Sequence, residues 1–140
     1  MGNVYLVRHG QAGTRDDYDS LSELGKQQTR LLGEYFVSQG IQFNATFCGG
    51  MQRQKETVKN VSSSLTNGEG NGNILIATSA TPAAVLSGLA LDIDDARVRQ
   101  LAGVLYNSSY TVLRMRAGKF HLFQFNAVPH LTEPELRTHR

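Results

Sequence analysis

The chain has 140 residues, of which 40% are hydrophobic and 19% are charged, a composition typical of one folded domain rather than of a disordered segment. The formal net charge of +2, from 14 Lys and Arg against 12 Asp and Glu, is too small to indicate a nucleic-acid partner. A single cysteine excludes an internal disulfide framework, and no apolar run approaches the roughly 20 residues that span a bilayer. We therefore expect a single cytoplasmic domain over residues 1–140 that binds neither nucleic acid nor membrane.

The first predicted element is a buried strand over residues 4–7 that ends abruptly in Arg8, His9 and Gly10. A short apolar, partly β-branched run that stops at a glycine is typical of such a strand. Open α/β sheets bind ligands beyond the carboxyl ends of their strands, so Arg8 and His9 are candidate site residues, with Gly10 and Gln11 beside them. The alternative is an ordinary surface Arg-His pair in a loop.

A polar loop and an amphipathic helix are predicted next. The spacing of Ser20 and Glu23 is that of a capping box, and Gly40 can end the helix. Between them, apolar side chains and one glutamine recur at helical intervals: Leu24, Gln28, Leu31, Leu32, Tyr35 and Phe36. The loop before the helix carries three carboxylates near the candidate site: Asp16, Asp17 and Asp19.

The same order of elements then repeats. Residues 45–48 predict a second short strand, in which Cys48 is expected to be buried, and a polar helix begins near Met51. Arg53 and Thr57 lie in the first turns of this helix. On spacing alone, Arg53 and Lys55 are better explained as a solvated helix face than as a ligand site.

Residues 62–73 are rich in Ser, Gly and Asn and predict a flexible linker. The most apolar run of the chain follows, at residues 74–78, and predicts a central parallel strand buried on both faces. Thr81 is the expected N-cap of the next helix, with proline at its first position. Thr78 and Ser79 place hydroxyl groups near this helix N-terminus, where backbone N–H groups favour an anion.

The remaining elements complete the predicted fold. A fourth helix is expected after Asp94, and residues 110–115 and 120–125 alternate as the two strands of an antiparallel hairpin. The tail after Leu131 is expected to be exposed or frayed. The whole pattern predicts an α/β three-layer sandwich, with a mostly parallel central sheet, helices on both faces and the antiparallel hairpin at one edge.

The motif Arg8-His9-Gly10 directly after an N-terminal strand resembles the signature of the histidine phosphatase superfamily, the phosphoglycerate-mutase-like proteins. The phrase from Leu21 to Gln28 is similar to the family's first helix, and Arg53 with Thr57 matches its second phosphate-binding arginine. The resemblance implies that His9 is transiently phosphorylated and that Arg8 and Arg53 bind the phosphoryl oxygens. It also implies a site without metal or another cofactor, and His121 and His130 are expected to be structural.

Two departures from the family pattern affect catalysis. The family usually has a much longer segment between the second helix and the next strand, which supplies a carboxylate as general acid and base; here the linker 62–73 stands there, with Glu69 as its only acid. Ser79 stands where the family has a second histidine. Either the protein lacks the acid-bearing segment, or the sequence joins two stretches that are not adjacent in the natural chain.

The expected function is therefore that of a phosphomonoester phosphatase, or of a phosphoglycerate-mutase-like phosphoryl transferase, acting through phosphohistidine. Its partner would be a phosphorylated small molecule or a phosphohistidine protein, and a homodimer is compatible with the sequence. The alternative is a catalytically impaired protein on the same fold that binds a phosphate ligand or has a regulatory role.

Overall fold

The computed structural model describes residues 2–65 and 72–139. Strands and helices alternate as far as α3, which is followed by a further helix and a C-terminal hairpin. The strands are β1 Asn3–Arg8, β2 Ala45–Cys48, β3 Ile74–Thr78, β4 Tyr110–Arg116 and β5 Lys119–Ala127. The α-helices are α1 Glu23–Ser38, α2 Gln52–Ser62, α3 Ala80–Leu91 and α4 Asp95–Val104. Two short 3-10 helices cover Arg15–Asp17 and Pro134–Leu136.

The five strands form one sheet in the order β2-β3-β1-β4-β5. Strand β3 pairs in parallel with both β1 and β2, whereas β4 is antiparallel to β1 and to β5. Four strands consequently run in one direction and only β4 is reversed. This arrangement confirms the predicted α/β class, including the mostly parallel sheet and the hairpin at its edge.

Helices cover both faces of the sheet. Successive residues of β1 point to opposite faces, so this strand contributes side chains to a core on each side. Tyr5 and Val7 belong to an aromatic core under α1 and α2, in which the rings of Tyr5, Phe36 and Tyr110 contact one another. Leu6 belongs to an aliphatic core on the other face, under α3 and α4. The two cores fix β1, and therefore the residues that follow it, at the centre of the molecule.

Two helices begin at residues other than those predicted. The N-cap of α1 is Ser22 rather than Ser20, and its side chain accepts the N–H of Gly25 at 3.0 Å. Leu21 is instead held in a bridge with Ala12. The N-cap of α3 is Ser79, two residues before Thr81.

Burial at the sheet edge also differs from the prediction. Cys48 is exposed, because β2 is an edge strand and three of its four residues face solvent. The tail after Leu131 is largely exposed, as predicted, but its end is docked rather than frayed. The N–H of Asn107 donates to the carbonyl oxygen of Thr138 at 2.7 Å, and the ring of His139 stacks on Tyr106. Long-range contacts of this kind leave no local signal in the sequence.

The predicted linker lies only partly within the described residues. Ser62 is the last residue of α2, while residues 66–71, including Glu69, are outside the described part of the chain. None of the helices that the structure describes has the length and apolar character needed to cross a membrane.

We predict that Gly33→Ala destabilises the protein by roughly 1–3 kcal/mol. Helices α1 and α2 approach so closely at this residue that a Cβ would collide with the backbone of Val61. The measurement is the urea midpoint at an unchanged m-value. The control is Gly103→Ala in α4, where a Cβ meets no atom within 4 Å and alanine should stabilise the helix by up to about 1 kcal/mol. Equal midpoints for Gly33→Ala and the parent would contradict the close helix contact.

Candidate functional site

The candidate site lies at the carboxyl ends of β1 and β3, which are neighbours in the sheet. His9 directly follows β1, and its backbone N–H donates to the carbonyl oxygen of Thr78 at 2.9 Å. Its own carbonyl oxygen accepts from the N–H of Ser108 and from the side-chain amide of Asn107, each at 3.2 Å. The backbone of His9 is therefore fixed from both sides before its side chain makes any contact.

The imidazole of His9 is oriented by a single short hydrogen bond. The ring is buried, with 5% of the residue exposed, and Nδ1 lies 2.7 Å from the carbonyl oxygen of Gly10. A carbonyl can only accept, so in the neutral ring Nδ1 carries the proton and Nε2 keeps its lone pair. This is the tautomer that a nucleophilic imidazole requires.

The surroundings also keep this ring neutral. Burial above all, together with the charges of Arg8 and Arg53, lowers the pKa of His9 to about 4. The hydrogen bond to Gly10 and the charge of Asp19 act in the opposite direction. At neutral pH the imidazole is therefore unprotonated at Nε2.

Arg53 lies in the first turn of α2, and its guanidinium is held by two residues of the loop before α1. Its Nη1 lies 3.2 Å from Oδ1 of Asp19, and its guanidinium carbon lies 5.2 Å from the centre of the Tyr18 ring. The Asp19 side chain is 60% exposed, so this ion pair contributes little to stability. Its effect is to hold the arginine beside His9.

Arg8 makes a different set of contacts. Its Nη1 donates to the carbonyl oxygen of Leu105, and its Nη2 donates to that of His139 at 2.8 Å. Its buried Nε has no hydrogen-bond partner in the part of the chain that the structure describes. Both arginines predicted to bind phosphate thus act electrostatically on His9, one paired with a carboxylate and the other with two carbonyl oxygens.

The two residues after His9 are held by the helices of one face. The N–H of Gly10 donates to the hydroxyl of Thr57 at 3.1 Å, and the N–H of Gln11 donates to the side chain of Gln28 at 2.9 Å. The side-chain oxygen of Gln11 accepts from the hydroxyl of Ser22 at 2.8 Å, at the start of α1. The loop that carries the site is consequently tied to both α1 and α2.

Ser79 is also engaged. Its hydroxyl oxygen accepts from the side-chain amide of Gln54 at 2.8 Å, and the oxygen of that buried amide accepts the N–H of Met51. Thr78 contributes its backbone carbonyl to His9. The two hydroxyl-bearing residues predicted to bind the ligand therefore adjoin the site, with Ser79 already in a hydrogen bond.

Several polar residues that shape the site were missed by the sequence interpretation. Gln28 had a usable signal, since a glutamine in an apolar helix stripe must find buried partners. Its side-chain nitrogen donates to the carbonyl oxygen of Leu136 at 2.7 Å and to the hydroxyl of Thr138 at 3.0 Å. Gln54 lies in a polar helix and Asn107 in the loop between α4 and β4, so neither stood out against apolar neighbours.

The two other histidines considered in the sequence occupy different environments. His130 is buried, its Nε2 lies 2.9 Å from the hydroxyl of Ser108, and burial lowers its pKa to about 4. His121 is exposed on β5. Among the described residues, no group of three or more His, Cys, Asp or Glu side chains is arranged to hold a metal ion.

We predict that the free energy of unfolding falls as the pH is lowered from 6.5 towards 4. His9 and His130 have pKa values of about 4 in the folded protein against 6.5 ordinarily, so the unfolded chain binds more protons in this window. Each histidine should contribute about 2–3 kcal/mol, present in full above pH 6.5. The measurement is urea unfolding at pH 7 and pH 4.5.

The variant His130→Gln should show a smaller difference in unfolding free energy between these two pH values, whatever its absolute stability. His121→Gln should show the full difference, since its side chain is exposed. An unchanged difference in His130→Gln would contradict the lowered pKa of His130.

Part of the chain resembles known phosphatases in sequence. Residues 4–68 match the profile of the histidine phosphatase superfamily (branch 1). Over 55 residues, 39% of this chain, the sequence is 36% identical to the mitochondrial serine/threonine-protein phosphatase Pgam5 of Caenorhabditis briggsae. The match covers 19% of that protein, so the chain spans about a fifth of the length of this curated relative.

The fold is also that of solved phosphatase structures. A phosphoserine phosphatase mutant of Entamoeba histolytica, in complex with phosphoserine, superposes with a TM-score of 0.74 at 15% identity, over 94% of this chain and all of that one. The protein histidine phosphatase SixA, complexed with tungstate, superposes with a TM-score of 0.71 at 13% identity, over 89% and 96% of the two chains. At these identities the likeness shows the fold alone.

Proposed function

We propose that the chain, whose residues 4–68 match the profile of the histidine phosphatase superfamily, transfers phosphoryl groups from phosphomonoesters, as a phosphatase or a mutase, through a phosphohistidine at His9. The observation that carries this proposal is the buried neutral imidazole, with Nδ1 bound to Gly10 and the lone pair on Nε2. The substrate class is a phosphate ester of a small molecule or of a protein side chain. A phosphate ester of a protein side chain is supported by the sequence match to the serine/threonine-protein phosphatase Pgam5.

The proposed reaction has two displacements at phosphorus. In the first, Nε2 of His9 forms a bond to phosphorus while the bond to the leaving oxygen breaks, and that oxygen takes up a proton. In the second, water attacks the phosphohistidine, loses a proton and releases inorganic phosphate with the restored imidazole. The carbonyl oxygen of Gly10 stabilises the positive charge that the ring gains during the first step.

Arg8 and Arg53 supply the electrostatic part of the proposal. The transferring phosphoryl group spreads its charge over its equatorial oxygens, which guanidinium groups bind strongly. Arg53 offers the N–H groups that it does not direct at Asp19, and Arg8 offers its unpaired Nε–H. Gly10, Gln11, Thr78 and Ser79 complete the proposed substrate-binding set.

Proton transfer falls to Asp19 in this proposal. Of the carboxylates that the structure describes, only Asp19 changes the pKa of His9, which places it within electrostatic reach of the reacting group. It is largely exposed and paired with Arg53, and so is less preorganised than a buried acid. We therefore expect slow turnover of alkyl phosphates, whose leaving oxygen needs a proton, and faster turnover of aryl phosphates.

A second candidate function is that of a phosphate-binding or regulatory protein with impaired catalysis. It is supported by Ser79, whose hydroxyl accepts a hydrogen bond from Gln54. By its resemblance to the family, the chain has Ser79 where the family has its second histidine. Such a protein would gain thermal stability on adding phosphate or vanadate and would release no phosphate from esters. Measured turnover of an activated aryl phosphate decides between the two functions.

We predict that incubation with an activated phosphate donor places an acid-labile phosphoryl group on His9. His9→Ala should remove the label, because the nucleophilic Nε2 is lost. His121→Ala should keep the label, because His121 is exposed and lies outside the candidate site. The label is measured by intact mass before and after acid treatment, and equal labelling of His9→Ala and the parent would refute the assignment.

We predict that Asp19→Asn lowers kcat for an alkyl phosphate by no more than the lower end of the roughly 10²–10⁴ that a positioned proton donor supplies, because Asp19 is largely exposed. The loss should be much smaller for p-nitrophenyl phosphate, whose leaving group needs little protonation. Asp16→Asn is the matched control, because Asp16 is an exposed carboxylate of the same loop. Equal losses on both substrates would show that Asp19 only positions Arg53.

A further inference from the structure

A second cationic pocket lies between α1 and α2, outside the cluster around His9. Its volume is about 320 Å³. It is lined by three lysines and three other polar residues: Lys26, Gln52, Lys55, Glu56, Lys59 and Asn60. We refer to this set of residues as the lysine groove.

The positive charge of the groove is only partly neutralised within the protein. Lys26 is paired with Glu23 at 3.1 Å, but neither Lys55 nor Lys59 makes an ion pair among the described residues. These two lysines are four residues apart on α2, a spacing at which like charges repel and destabilise a helix. A ligand with negative charges would remove that repulsion.

The one carboxylate of the groove is already engaged. Oε2 of Glu56 accepts the backbone N–H of Leu21 at 2.9 Å, and Oε1 accepts from the side-chain amide of Gln52 at 3.3 Å. Glu56 therefore fixes the loop before α1 to α2, and its oxygens are directed at these donors. It leaves the charges of Lys55 and Lys59 available to a ligand.

The groove adjoins the proposed phosphoryl-transfer site through α2. Arg53 and Thr57, which lie beside His9, belong to the same turns of this helix as Gln52 and Lys55. Lys59 is six residues beyond Arg53, or about 9 Å along the helix axis. Lys55 and Lys59 lie on a different side of α2 from Arg53 and Thr57, so a ligand anchored at His9 needs at least about three extended residues to reach them.

We propose that the lysine groove binds acidic side chains of a phosphorylated polypeptide whose phosphate is positioned at His9. Lysines are compact charges on flexible stems, without the planar fork with which arginine binds a single phosphate bidentately. Several of them along an open crevice between two helices suit a row of carboxylates. This inference rests on the proposed function and specifies its substrate: a phosphopeptide with acidic residues about two to four positions from the phosphorylated residue.

The test compares phosphopeptides that carry either Asp or Ala at those positions. The parent protein should show a kcat/KM about tenfold higher for the acidic peptide, and Lys55→Glu combined with Lys59→Glu should abolish the preference. Turnover of p-nitrophenyl phosphate should be unchanged by the double substitution, since this substrate cannot reach the groove. Lys119→Glu, an exposed lysine at the start of β5, is the control for net charge.

Binding separates this inference from the proposed function. His9→Ala removes the proposed nucleophile, so its affinity for the two peptides, measured by fluorescence anisotropy, reports on the groove even if no turnover is found. The acidic peptide should bind about tenfold more tightly, and added salt should reduce the difference. Equal affinities for the two peptides, or a preference for the acidic peptide that survives the double substitution, would contradict binding of acidic side chains in the lysine groove. If the double substitution weakened the binding of a sugar bisphosphate more than that of the acidic peptide, the assignment of a polypeptide ligand would be wrong.

Discussion

The site depends on a close contact between the backbone after β1 and the first turn of α1. A Cβ on Gly10 would lie 2.7 Å from the carbonyl oxygen of Gly25, and a Cβ on Gly25 would collide with the backbone of Gln11. Because both positions are glycine, the helix can approach until Gln28 reaches the N–H of Gln11. The position of the Gly10 carbonyl, and with it the tautomer of His9, follows from this contact.

Burial and charge then act together on that histidine. Removing the imidazole from water disfavours its protonated form, and the nearby guanidinium groups have the same effect. The cations that would bind a phosphoryl group therefore also keep the proposed nucleophile unprotonated. Under the proposed function, one pair of cations beside His9 would serve both requirements.

Local patterns predicted the elements well and the long-range contacts poorly. The strands at residues 45–48 and 74–78 were predicted with the observed bounds, because apolar runs bordered by polar residues mark them clearly. The exposure of Cys48 depends on the order of strands in the sheet, which local sequence does not encode. The same holds at the site: the motif identified His9, but the partners of Arg8 lie at Leu105 and His139.

The contact between Arg8 and His139 joins residues 131 positions apart. Closing so long a loop costs conformational entropy, and the cost is recovered only after the intervening sheet has formed. The docked tail is therefore expected to be among the last parts of the molecule to assemble and among the first to open. In the native ensemble, the cationic environment of His9 then fluctuates with local opening of the tail while the central sheet stays intact.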